Sequence, residues 1–249
     1  MTSLIRHLFR DKKIATMLLI SSLIIGVCAL APSLFVIIVL NKYLASGITA
    51  TLISLAAGAI LFLLFEFAFR QNRGIMMTEF NRRIYDPLLA KFIEKFKRTE
   101  FSEDEYKKLD GAGTIIKNMR SSSVTSWILD WPFVLGFVLV LIYLSWTAAI
   151  ITAIFMLIIL SVNKWKNNLS LTTEMMSNIE ILLMGLLTIS IITTGSFMIM
   201  AGELDIGVLI GSNILAARAF QGTNKYAKAK EFIEQRDRAV SEIIQFIKQ

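Results

Sequence analysis

Glu66 and Arg70 stand four positions apart in otherwise apolar surroundings, and Glu180 and Arg218 sit at the ends of two further apolar stretches. A charge at the centre of a membrane helix costs on the order of 2.5–3.5 kcal/mol on insertion scales, so each needs a partner or a purpose. Glu66 precedes Arg70 in the order that favours pairing on one helix turn. Both lie near the end of their stretch, where a long side chain reaches water along its own stem. Arg218 reads as an anchor at the end of its span, with Glu180 of the neighbouring antiparallel span as candidate partner. The competing use of these charges is contact with something moving along a translocation path. Asp130 opens another stretch and reads as a cap on the helix dipole.

Little else in the chain offers chemistry. His7 stands alone among interfacial charges, and Cys28, the one cysteine, cannot form an intrachain disulfide. Glu203 and Asp205 are two carboxylates in a short loop, too few oxygens for calcium. There is no nucleophile–base set and no metal cluster. A Walker A loop needs Gly-Lys-Ser/Thr to hold phosphates and magnesium, and no Gly-Lys dipeptide occurs. The expectation is therefore no catalytic residue, no cofactor and no metal in this chain. It would not be an enzyme, and ATP would act only through a partner.

The elements that carry these residues follow from where charge is missing. Of 249 residues, 55% are hydrophobic and 18% charged, and the charges fall in blocks. Six stretches between them read as spans: 14–40, 51–69, 127–144, 147–162, 179–200 and 206–220. A bilayer core about 30 Å thick needs about 20 apolar residues as a helix. Only helices satisfy their own backbone there without a closed barrel. Of the 26 Lys and Arg, four precede Ile14, twelve lie in 70–126 and six follow Arg218. With a cytoplasmic N-terminus, all but Lys42 and, within its span, Arg218 fall on the inner side, as the positive-inside rule requires. The net charge of +7 is then a topology signal, and no nucleic-acid partner is expected. Both termini are placed in the cytoplasm, and no cleavable signal peptide is expected.

Three polar segments complete the plan. Residues 1–13 read as an amphipathic helix along the inner interface. Residues 14–222 form the six-helix domain, including a long cytoplasmic helical hairpin at 70–126. In its first limb Ile84, Leu88, Leu89, Phe92, Ile93 and Phe96 recur at helical spacing. Pro87 should bend that helix rather than end it, and "TEFSEDEYKKLDGAG" reads as the turn. Its tip, with Phe101, Glu105, Tyr106 and Leu109, is a candidate partner-docking point. The other inner connection, 163–178, is too short for two projecting helices. Residues 223–249 read as a cytoplasmic C-terminal helix with Phe232, Ala239, Ile243 and Phe246 as its buried stripe. Gly207 and Gly211 give the sixth span a small face, for packing within the bundle or in a dimer. Trp127, Trp131, Trp146 and Trp165 fall at span ends, where aromatic anchors belong.

Several of these stretches carry more than hydropathy. Pro32, Asn41-Lys42, Thr51-Leu52, Gly58, Glu66 and Arg70 together resemble the first helical hairpin of bacterial ABC exporters of the type I secretion and bacteriocin-export kind. Asp130, Pro132 and Phe133 are similar to the third-helix signature of that family, and "GELDIGVLIGSNILAARAF" resembles the start of its sixth helix. The resemblance implies an all-α membrane protein with the type-1 transmembrane-domain fold, multi-pass in the bacterial inner membrane. It also implies transport of peptide or protein cargo as a homodimer or as a subunit of a larger membrane complex. Three departures stand beside it. The family carries an ATPase domain after the sixth helix, and the expectation here is a separate ATPase partner in its place. The connection at 163–178 lacks the family's extension, and Gly222 stands where a proline is common. These support an alternative: a degenerate, non-transporting relative acting as a scaffold or accessory subunit.

Overall fold

The computed structural model describes residues 12–43, 49–99, 102–121, 124–166 and 172–248. The expected interfacial helix at 1–13 lies almost entirely outside them, as does Phe101. Among the described residues the chain is all-helical. The elements are α1 (Lys12–Cys28), α2 (Ala31–Ile38) with a π-helical turn (Val39–Tyr43), α3 (Thr49–Phe96), and α4 (Glu103–Ser121). A 3-10 turn (Val124–Asp130) leads to α5 (Trp131–Leu144), α6 (Trp146–Trp165), α7 (Thr173–Met200) and α8 (Ile206–Lys248).

Four helical segments are long and apolar enough to cross a membrane: Ile14–Tyr43, Ala50–Phe96, Trp146–Trp165 and Glu174–Met200. The other two expected spans differ in kind. Helix α5 has 14 residues, about 21 Å at 1.5 Å per residue. The first turns of α8 carry Asn213, Arg218 and Gln221 among their apolar residues. The expected first span is also broken, because Ala29 and Leu30 form a turn before α2. Pro32 sits in the first turn of α2, where its missing N–H leaves no bond unmade.

Two more boundaries depart from expectation. Most of the segment expected as a turn at 99–113 is helical, because Ser102 and Glu105 form a capping box. The Ser102 hydroxyl accepts from the Glu105 N–H at 3.4 Å, and the Glu105 carboxylate accepts from the Ser102 N–H at 3.3 Å. Glu103, Asp104 and Glu105 in the first turn suit the helix dipole. Second, α8 runs through residue 222 without a break. Pro87 lies inside α3, which continues past it.

The chain divides into two compact units: residues Ser21–Arg70 with Asp130–Ala227, and residues 1–20 with Gln71–Leu129 and Lys228–Gln249. In the first, the apolar unit, Leu141, Ile159, Leu187, Ile191, Leu215 and Phe220 form the main core. Close helix approach depends on bare backbone there. A Cβ on Gly195 would meet Leu209, and one on Gly26 would lie 2.7 Å from the Phe133 ring. The second, charged unit is built from the later part of α3, α4 and the end of α8. Its core includes Tyr85, Phe92, Ile116, Met119, Ile243 and Phe246. The Phe92 and Phe246 rings meet edge to face at 5.9 Å. Of the stripe expected in the C-terminal helix, Ala239, Ile243 and Phe246 are buried and Phe232 is partly so.

Candidate functional site

Helix α3 reaches the end of its apolar run at Glu66, and the next turn carries Arg70. The Arg70 guanidinium donates to Glu66 Oε1 from Nε at 3.0 Å and from Nη2 at 2.8 Å. Arg218 of α8 approaches the same carboxylate, donating from Nη1 to Oε1 at 3.1 Å and to Oε2 at 3.3 Å. Glu66 is buried, and one carboxylate thus holds two guanidinium groups. The triad keeps a net positive charge. Burial of the carboxylate strengthens its hold on both cations, although the Arg70 side chain stays 39% exposed.

The partner of Arg218 is therefore Glu66 and not the expected Glu180. The expectation rested on the chain order of neighbouring spans. Glu180 is half-buried in α7 and makes other interactions.

The triad lines a cavity of about 550 Å³. Arg70, Arg218 and Lys225 bring positive charge to its wall, and Glu66 and Asp130 bring negative charge. Ile25, Ala29, Phe133, Val134 and Phe137 give it an apolar side. Asp130 lines this space from the expected position at the start of α5, without a side-chain cap bond; its own backbone is already helical. Asn213 also lines the cavity, and its buried carboxamide oxygen has no hydrogen-bond partner among the described residues. At the mouth of α5, Trp131 stacks on Tyr226 with ring centroids 4.5 Å apart, so its ring packs on protein rather than serving only as a membrane anchor.

At the far end of the apolar unit, α7 closes in a Schellman motif. Gly202 takes φ +77°, and the N–H of Glu203 donates to the Met198 carbonyl at 2.9 Å. The N-terminus of α8 is capped from another element. Asn41 Oδ1 accepts from the Gly207 N–H at 3.1 Å, while its Nδ2 donates to Asp205 at 3.4 Å. Gly207 and Gly211 lie against α2 and its π-helical extension. A Cβ at Gly207 would be 2.9 Å from the Ile37 carbonyl oxygen, and one at Gly211 would be 3.1 Å from that of Ser33. Their small face is used inside the chain.

The candidate docking tip looks different in place. Leu109 is a core residue of the charged unit, and Tyr106 packs on Phe96 with ring centroids 5.4 Å apart. Glu105 is exposed but engaged in the cap of α4. Sequence reasoning missed a buried charge here: Arg236 of α8 donates to the Tyr85 hydroxyl at 3.1 Å and pairs with Asp237. Burial pushes the Tyr85 phenol above its usual pKa, against the lowering pull of Arg236. Arg236 falls on the same helix face as Ala229, Ile233 and Ala239, and that spacing was the available signal.

Among the described residues, no group of three His, Cys, Asp or Glu could hold a metal. No protein-family model matches the chain, and no curated protein matches it.

Proposed function

We propose that this protein is a six-span membrane subunit of ABC-exporter type that moves peptide or protein cargo together with a separate ATPase. In this reading it resides in the bacterial inner membrane with both termini in the cytoplasm. α5 and the start of α8 complete the six spans. The observation that carries the reading is the charge triad of Glu66, Arg70 and Arg218. It joins the second and sixth spans through the residues that resemble the exporter signatures. The charged unit supplies a water-facing helical body, with exposed Tyr106 and Glu105 as the contact for the ATPase.

The short connection between α6 and α7 favours a second reading. Helix α6 ends at Trp165 and α7 begins at Thr173, which leaves no length for a projecting pair of helices. An exporter-like scaffold within a larger membrane complex needs no such pair, since shape does not carry activity.

Native purification from membranes tests both. The transport reading expects a co-purifying ATPase whose turnover rises with this subunit and falls with Tyr106→Ala combined with Glu105→Lys. Stoichiometric recovery with a complex that contains no ATPase overturns it in favour of the scaffold.

A further inference from the structure

The cavity beside the triad has a charge balance that selects its occupant. Arg70, Arg218 and Lys225 carry three positive charges, and Glu66 and Asp130 carry two negative ones. The triad by itself, with two guanidinium groups on one carboxylate, is short of one negative charge. Its volume, about 550 Å³, lies within the roughly 300–1,000 Å³ of ordinary ligand sites. Its lining is mixed, with the apolar side chains of Ile25, Phe133 and Phe137 beside the cations. Asn213 adds a carboxamide whose oxygen finds no donor among the described residues, and buried polar groups of this kind usually have a partner.

We propose that this cavity binds one phosphodiester headgroup of an acidic phospholipid. A phosphodiester carries a single negative charge at neutral pH, which matches the deficit. Inorganic phosphate averages between one and two charges at neutral pH and has no apolar portion to cover Phe133. Position argues the same way. Glu66 and Arg70 close the apolar run of α3, which puts the cavity at headgroup depth for a chain that crosses the bilayer. Basic pockets between membrane helices at that depth are suited to anionic headgroups. A guanidinium carries several donors suited to a phosphate, and Arg218, whose Nη1 is held by Glu66, lines the cavity wall. The inference rests on membrane residence alone and is independent of the transport reading.

The full chain, reconstituted in nanodiscs of phosphatidylglycerol or of phosphatidylcholine and then released into neutral detergent, is weighed by native mass spectrometry. One retained phosphatidylglycerol per chain is expected, with phosphatidylcholine retained about tenfold less, the worth of one charge-assisted contact. Lys225→Gln and Arg218→Gln should each lower retention about tenfold. Because Arg218→Gln disturbs the triad, Ala217→Phe serves as a second variant. It fills the cavity without removing a charge and should also expel the lipid. Equal retention of both lipids, or retention unchanged in Lys225→Gln and Ala217→Phe, overturns the proposal. Displacement of the lipid by millimolar inorganic phosphate, or by a peptide carboxylate, overturns it in favour of a soluble anion.

Discussion

Phe67 and Phe92 lie on one helix, α3, and the two units treat them in opposite ways. In the apolar unit Phe67 is 66% exposed, together with Ile60, Leu61 and Leu64 beside it, while Glu66 is 7% exposed. In the charged unit Phe92 is 5% exposed, and Arg82, Arg83 and Glu94 face outward. The same backbone geometry thus serves two solvents. Where the surroundings are hydrocarbon, greasy side chains gain nothing from burial and a carboxylate needs partners. Where they are water, aromatic burial drives folding and charges stay outside. The comparison teaches that burial alone does not mark the core of this chain; what matters is which medium each face meets.

The largest expected effect comes from the aromatic core of the charged unit. Phe92→Ala should cost about 3–5 kcal/mol through lost contacts with Phe246 and Phe96. Hydrogen exchange over residues 71–121 would show it as lost protection. Phe67→Ala should leave exchange unchanged, and equal losses at both positions would break the comparison. Next comes a charge on the lipid face. Ile60→Lys, at the middle of the 51–69 stretch, should oppose membrane insertion by about 2.5–3.5 kcal/mol, read as the inserted fraction in a glycosylation-mapping assay. The control is Ile93→Lys, at an exposed site of the charged unit, where about 0.5 kcal/mol or less is expected.

Two smaller changes sharpen the contrast. Gly211→Val should cost about 1–3 kcal/mol by overpacking against Ile37 and the Ser33 carbonyl. A lower melting temperature in detergent would report it. In the charged unit Ser102→Ala should cost about 1 kcal/mol by removing the cap of α4. Circular dichroism across a thermal melt would detect an earlier loss of helix.

Much of this fold can be read from residue order. The apolar stretches, the continuation of α3 past Pro87 and the buried stripe of Ala239, Ile243 and Phe246 follow from periodicity, because each depends on local spacing. Gly202 marks its turn for the same reason. Ser102 and Glu105 also carried a local signal, the Ser-x-x-Glu spacing, hidden among neighbouring charges. The partner of Arg218 was not legible. Glu66 and Glu180 both suit it chemically, and only packing decides between a span that is near in sequence and one that is far. Leu109 failed as an exposed contact because the position of the α4 boundary sets which way it faces. The cap supplied by Asn41 to α8 spans 166 positions and leaves no trace in the order of residues.

The glycine contacts of the apolar unit carry a consequence for how its sequence can drift. At Gly26, Gly195 and Gly222 a side chain from a neighbouring helix rests where a methyl group would otherwise stand. Positions facing the hydrocarbon ask only for greasiness, so aliphatic residues can interchange there over generations. The bare spots tolerate no such exchange. Relatives of this protein should therefore agree less in their composition than in a sparse lattice of fixed small residues, spaced by the pitch of the helices they hold together.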